Sequence, residues 1–197
     1  MENGAGSDLE VSEYCMTQDA AQSGRVRVVV DRDKGRSVIA TGWYKVGQTV
    51  VVGDVERVVA ARTNHSFQVE WLRHVDLTAP VRYINHSCDP NTGIRDNERG
   101  GFDFIALREI APSDEITWDY ETSEYVSIAV SRCLCGEAGC RSVIRGFWYR
   151  RNDPSWEPTH LAGYLRDQPR GRTSSTITHA TGELPTDQGP TTPGTSG

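Results

Sequence analysis

Arg82-Tyr83-Ile84-Asn85-His86-Ser87-Cys88-Asp89-Pro90-Asn91 is the stretch on which the reading of this chain turns. It sets an amide, an imidazole, a hydroxyl and a thiol side by side and ends in Asp-Pro-Asn, residue types that favour turns. Such an irregular, polar run reads as an active-site loop and not as a core element.

Its thiol has company downstream. Cys133, Cys135 and Cys140 crowd together, and with the distant Cys88 they make a pattern of one plus three. The spacing Cys-x-Cys-x4-Cys does not readily close on itself as disulfides, whereas a tetrahedral zinc ion accepts four thiolates from irregular loops. A segment too short to build its own core would be pinned by such a metal against the larger domain. The alternatives are an unmetallated loop of reduced cysteines and a catalytic thiol, which needs one cysteine beside a base and not three held together. Cys15, in a polar stretch with no partner pattern, reads as an incidental thiol.

Length and composition set the bounds. The 197 residues suit one ordinary domain with tails. A net charge of -6 without basic clusters points to a cationic partner, a basic protein or peptide, and away from nucleic acid. No apolar run approaches the roughly 20 residues that cross a bilayer, and Met1 to Ala20 lacks the basic-then-apolar order of a leader. The expectation is a soluble, intracellular protein without membrane contact, in a reducing compartment where clustered thiols serve as ligands or catalytic groups.

Working outward, residues 1–24 are small, polar and acidic and read as a flexible arm. Alternation and β-branched runs predict strands near Arg25–Asp31, Val38–Thr41, Val50–Val52, Val55–Ala60, Ser66–Trp71, Arg73–Asp76, Thr92–Arg95, Gly101–Ala106 and Glu115–Trp118. Asp33 to Ser37 reads as a turn, and Gly53-Asp54 between valine runs reads as a tight hairpin. This places the main domain at 25–130 and the cysteine-bearing segment at 131–150. Leu161, Tyr164 and Leu165 on helical spacing predict a short helix within 151–167, and the Pro, Gly, Thr and Ser of 168–197 read as a disordered tail. The fold class is mainly β, with several small sheets of short strands.

From Arg25 to Gly146 the chain resembles the SET-domain methyltransferases. Arg82 to Asn91 is similar to the family's Arg-Phe-Ile-Asn-His-Ser-Cys-x-Pro-Asn, and Glu115-Ile116-Thr117-Trp118-Asp119-Tyr120 to its Glu-Leu-Thr-Phe-Asp-Tyr. Cys133-Leu134-Cys135-Gly136 through Cys140-Arg141 is similar to the post-SET segment, whose three cysteines bind zinc with the cysteine of the Asn-His-Ser-Cys motif. The resemblance implies a knot-like crossing of the two motifs, S-adenosyl-L-methionine as cofactor, a structural Zn2+ on Cys88, Cys133, Cys135 and Cys140, and methyl transfer to a protein lysine through a narrow channel. It implies Tyr120 as the catalytic residue. Cofactor contacts would come from Lys34, Gly35, Arg36, Ser37, Asn85, His86, Leu134 and Tyr120, and channel walls from Trp118 and Tyr83.

Departures from the family pattern fall at the pockets. Ser37 stands where the family turn has its second glycine, at a cost on the order of 1 kcal/mol if the site requires positive φ or close approach. Val52-Gly53-Asp54-Val55-Glu56 replaces a Glu-Tyr-x-Gly-Glu run whose tyrosine lies near the substrate channel, which implies a wider or differently lined channel. Trp118 stands at a position that sets methyl number in the family, and its lack of a hydroxyl implies activity past the first methyl, unless its larger ring excludes a methylated amine or it simply fills the core. Asp89, Asp96, Asp119, Glu121 and Glu124 are candidates for a negative rim, against the default of a solvated face. The rival functions are a methyltransferase acting on a small amine and a silent binding module that keeps the fold and the zinc.

Overall fold

The structure, a computed structural model, describes residues 25–31 and 34–166. The expected arm at 1–24 and tail at 168–197 lie outside the described residues, as do the Asp33 corner of the first turn and Asp167.

Among the described residues ten strands run in the order β1 (Val26–Asp31), β2 (Gly35–Ala40), β3 (Thr49–Gly53), β4 (Val55–Val59), β5 (Phe67–Glu70), β6 (Arg73–Leu77), β7 (Asn85–His86), β8 (Thr92–Asp96), β9 (Phe102–Ala106) and β10 (Thr117–Trp118). They form four small sheets: β1 with β2, β3-β9-β8, β4-β6-β5, and β7 with β10. All pairs are antiparallel except β7 with β10. The mainly β class is borne out.

The core sits where β3, β8 and β9 meet the segment Ile110 to Trp118. Val51, Ile94, Phe102, Phe104, Ile110 and Ile116 are fully buried there. Phe102 and Phe104 flank the half-buried Asp103, the period-two pattern that sends alternate side chains of a strand to one face. Val38 of β2 joins the same core through its carbonyl, which accepts from the Ile116 N–H at 2.7 Å.

The predicted hairpin at Gly53-Asp54 does not form. β3 pairs with β9 while β4 pairs with β6, so the chain changes sheet across Asp54. Packing around Gly53 is tight: a Cβ there would lie 3.0 Å from Leu77 Cδ1, Val81 Cγ1 and the Phe102 carbonyl, so a side chain would have to push these atoms aside. Gly35 to Ser37, read as a turn, belongs to β2, with Gly35 at φ +82° opposite Asp31.

The short helix expected within 151–167 forms near its end and takes in Tyr164 and Leu165 but not Leu161. Among the described residues helical structure there is confined to α2 (Gly163–Arg166), preceded by α1 (Phe147–Arg150). Pro154 and Pro158 lie between them, and proline removes a donor and restricts the residue before it. No helix among the described residues is long and apolar enough to cross a membrane.

Candidate functional site

Two motifs about thirty residues apart share one sheet. β7 and β10 lie parallel, with Asn85 opposite Thr117 and His86 opposite Trp118. The Ser87 N–H extends the ladder to the Trp118 carbonyl at 3.1 Å. The chain then turns at Asp89-Pro90, and Asn91 returns to act as a side-chain rung: its Oδ1 accepts the Thr117 N–H at 2.9 Å and its Nδ2 donates to the Glu115 carbonyl at 2.8 Å. The dense polar sequence follows from this, since the side chains of Asn85, His86, Ser87, Cys88 and Asn91 each bond backbone groups that no wide sheet covers.

Tyr120 opens a 3₁₀ turn, Tyr120–Thr122, whose N-cap Asp119 accepts the Glu121 N–H at 3.1 Å. Its phenol donates to the Ile84 carbonyl at 3.0 Å, and its backbone N–H donates to His86 Nδ1 at 3.2 Å. That leaves the imidazole proton on Nε2, which faces Cys88 Sγ at 3.4 Å. Burial pushes the His86 pKa down to about 4, against the pull of Asp119, so the ring is neutral. Burial, with Glu124 and Glu115 adding to it, raises the Tyr120 phenol above its ordinary value and keeps it protonated.

Two cavities meet at this tyrosine. The larger, about 540 Å³, is lined by Lys34, Gly35, Arg36, Tyr83, Asn85, His86 and Leu134 together with Tyr120 and the segment Ala129 to Cys135. The smaller, about 20 Å³, lies against Phe67, Ile84, Trp118, Glu124 and Ile128. Tyr120, Asn64, His65, Arg82 and Ala129 border both. The larger has the size of a cofactor site, and its wall carries both cations, Lys34 and Arg36, and amide and carbonyl groups suited to a molecule with a carboxylate and a base. The smaller has room for little more than one water-sized group.

Ser37 is absent from both walls. It is 3% exposed, its φ is not positive, and its Oγ accepts from Asn85 Nδ2 at 2.9 Å. The serine therefore carries no backbone strain and acts as a support behind Asn85, whose Nδ2 also reaches the Arg36 carbonyl and Glu115 Oε1. Glu115 in turn pairs with Lys34 at 2.7 Å. Tyr83, expected beside the channel, stands on the larger cavity, where its hydroxyl accepts from Arg36 Nη1 at 2.8 Å and its ring lies under the same guanidinium. Trp118 combines both readings: it is 2% exposed and stacked on Phe67, yet it borders the smaller cavity and its indole N–H has no acceptor among the described residues.

The four sulfurs converge. The Sγ atoms of Cys88, Cys133, Cys135 and Cys140 all lie within 4.8 Å of one another, with Cys88 and Cys133 at 3.8 Å. Tetrahedral zinc with Zn–S bonds of about 2.3 Å sets sulfurs about 3.8 Å apart, so the donor set fits that ion in type and spacing. Backbone N–H groups of Arg141 and Ser142 point at Cys88 and Cys140 sulfur at 3.3 and 3.4 Å, an arrangement that favours thiolates.

The negative rim is not there. Asp119, Glu121 and Glu124 are buried, while Asp89 pairs with Arg108 and Asp96 with Arg166 at the surface. Asp119 is held by a fork from Arg141, Nη1 to Oδ2 at 3.0 Å and Nη2 to Oδ1 at 2.6 Å, which ties the cysteine segment to the tyrosine turn. Arg141, Asn91 and Glu124 escaped the sequence reading as site supports. A charged residue directly after the last cysteine was the available signal for Arg141, whereas nothing local marks Glu124 as buried.

Comparison with known proteins agrees with this geometry. A model described as "SET domain" matches residues 10–121. Histone-lysine N-methyltransferase Set2 of Drosophila melanogaster is 43% identical over 68 residues, which cover 33% of this chain and 3% of that protein. The H3 lysine-9 specific histone-lysine N-methyltransferase dim-5 of Neurospora crassa is 32% identical over 85 residues, 34% of this chain and 26% of that one. The chain thus spans from 3% to 26% of the length of these two relatives. Among solved structures, KRYPTONITE in complex with mCHG DNA and SAH superposes with a TM-score of 0.50 at 25% identity, covering 60% of this chain and 28% of that chain.

Proposed function

The chain belongs to the SET-domain family, and from that premise we propose that it is an S-adenosylmethionine-dependent N-methyltransferase acting on lysine side chains of a basic protein such as a histone. The observation that carries the reading is the meeting of a cofactor-sized cavity and a narrow one at Tyr120.

Bound S-adenosylmethionine supplies an electrophilic methyl on a sulfonium. Methyl transfer to an amine is an in-line displacement, so the protein's share is alignment, exclusion of water and a nitrogen lone pair. Lys34 and Arg36 offer cations for a carboxylate at one end of the larger cavity, and Asn85, His86 and Leu134 line the wall beside them. Tyr120, held by Ile84 and His86, fixes the junction, and its neutral phenol orients the incoming nitrogen without competing as an anion. Trp118 and Phe67 pack the far side and keep the passage narrow. In this reading residues 131–150 are a post-SET segment whose cysteines hold one structural zinc with Cys88, closing the wall formed by Ala129 to Cys135.

A histone-like substrate fits an intracellular setting, in nucleus or cytoplasm. KRYPTONITE carries DNA in its crystal, so the expectation of no nucleic-acid partner rests here on charge alone, -6 for the chain. Titration calorimetry of the zinc-loaded protein with S-adenosylmethionine, followed by transfer of labelled methyl to histone peptides, tests the reading. Saturable binding and lysine-dependent labelling are expected. Absence of cofactor binding by protein with one zinc per chain overturns it.

A further inference from the structure

Glu124 is a buried carboxylate that methyl transfer as described above leaves without a task. It is 7% exposed and lies on the wall of the narrow cavity beside Tyr120 and Trp118. It is also rigidly placed. The Gln68 N–H donates to its Oε1 at 2.9 Å, the Gln68 side chain accepts the Tyr125 N–H at 3.0 Å and donates to the Glu70 and Trp71 carbonyls, and the Glu124 backbone N–H bonds the Tyr120 carbonyl at 2.9 Å. Phe67, Trp118, Ile84 and Ile128 supply the apolar wall of this cavity, which His65 and Arg82 also border, and the buried Trp118 N–H has no acceptor among the described residues.

A carboxylate set among aromatic faces suits a cation, because ring faces and anion attract the same charge. A lysine ammonium enters with one proton too many for displacement chemistry, and a group in hydrogen-bond reach must take it. We propose that Glu124 is the proton acceptor for the substrate amine: the N–H bond of the ammonium breaks, its electron pair stays on nitrogen as the nucleophile, and the proton joins a Glu124 carboxylate oxygen. The proposal rests on the methyltransferase reading above.

The surroundings agree. Among the described residues His65, Arg82 and Tyr120 border the cavity with Glu124, and Arg62 and Tyr164 interact with its charge. Burial raises the Glu124 pKa to about 7, against the lowering contributions of the Gln68 N–H, Arg62 and Ser123. A base in that range is ionised near neutrality yet basic enough to hold the proton while the methyl moves.

The test compares the zinc-loaded full chain with Glu124→Gln, which keeps an oxygen to accept the Gln68 N–H, in single-turnover methyl transfer from labelled S-adenosylmethionine to lysine-containing histone peptides. Rates are followed from about pH 6 to about pH 9.5. The parent is expected to gain rate through an acid limb near pH 7. The variant is expected to lose at least about tenfold at pH 7.5, to lack that limb, and to recover as the amine loses its proton to solvent. Its cofactor affinity by calorimetry should match the parent's. An active parent with an unchanged variant profile overturns this proposal and leaves the methyltransferase reading standing. A parent that labels no lysine peptide overturns both. Should the variant melt far below the parent, the parent's own profile decides: a rate that rises only with the free-amine fraction, with no limb near neutrality, overturns the proposal.

Discussion

Asn91 accepts the Thr117 N–H at 2.9 Å and offers its own amide to the Glu115 carbonyl at 2.8 Å, so one side chain completes the edge that β7 leaves open beside β10. Asn91 is 7% exposed and Thr117 is 9% exposed, and no water can replace these bonds cheaply. Asn91→Leu would orphan a buried N–H and a buried carbonyl at about 1–3 kcal/mol each. We expect a loss of about 2–5 kcal/mol in urea unfolding with little change in volume. Stability within about 0.5 kcal/mol of the parent would mean that the parallel pair holds without the asparagine.

Tyr120→Phe removes one hydroxyl and one hydrogen bond, to the Ile84 carbonyl. The structural cost is about 1 kcal/mol, because the ring keeps its contacts with Trp118 and His86 at 4.9 and 5.3 Å between centroids. Turnover should fall by about a hundredfold or more, since alignment at the reacting atoms is lost. Labelled methyl transfer alongside cofactor titration separates the two effects: equal turnover would remove Tyr120 from the chemistry.

Much of this was legible in the sequence, for reasons that also mark where legibility stops. Cys88 with Cys133, Cys135 and Cys140 predicts a four-sulfur cluster because metal ligation imposes residue type and spacing on the chain itself. The valine runs and Phe102-Asp103-Phe104 declare strands because a half-buried strand must alternate. Sheet membership is different. Val52-Gly53-Asp54-Val55 looks like a hairpin by local chemistry, but Leu77 and Val81 from one distant stretch and Phe102 from another crowd Gly53, and that crowding is invisible in a window of ten residues. The acidic rim failed in the same way. Asp119, Glu121 and Glu124 resemble surface residues until Arg141, the Arg145 and Gly146 N–H groups and Gln68 arrive from elsewhere to bury them.

The Arg141 fork on Asp119 is the weld between the cysteine segment and the tyrosine turn. Side-chain exposures of 13% and 7% leave Asp119 without solvent if the guanidinium goes. Arg141→Ala should cost about 3–5 kcal/mol, the usual result of stranding one charge of a buried pair. Arg141→Lys should recover only part of it, because an ammonium cannot reproduce two parallel bonds. Thermal melts of both variants, with zinc content measured in parallel, check this; full rescue by lysine would reduce the fork to a simple charge contact.

Metal removal should act on the same wall. Cys135→Ser deletes one thiolate from a set whose sulfurs lie within 4.8 Å of each other, and a strong chelator deletes the ion. Both should lower the melting temperature by about 5 °C or more and weaken cofactor binding, since Cys133, Leu134 and Cys135 border the larger cavity. One zinc per parent chain by elemental analysis is expected. A variant that melts and binds cofactor like the parent would separate the cluster from the site.

Glu124 makes stability itself depend on pH. Its carboxyl is raised from an ordinary 4.5 to about 7, chiefly by burial, so between those values the folded chain binds a proton that the unfolded chain releases. Its contribution is therefore fully present below about pH 4.5 and is lost as pH climbs through about 7, a change on the order of 3 kcal/mol for a group this buried. Glu124→Gln stays neutral throughout and should lack that slope. Urea unfolding of parent and variant at about pH 5 and about pH 8 isolates the effect, because every other titrating group is common to both chains. The variant should gain on the parent at the higher pH by a few kcal/mol. A parent-to-variant difference that does not move with pH would place the Glu124 carboxyl in contact with solvent and remove the ground for a raised pKa.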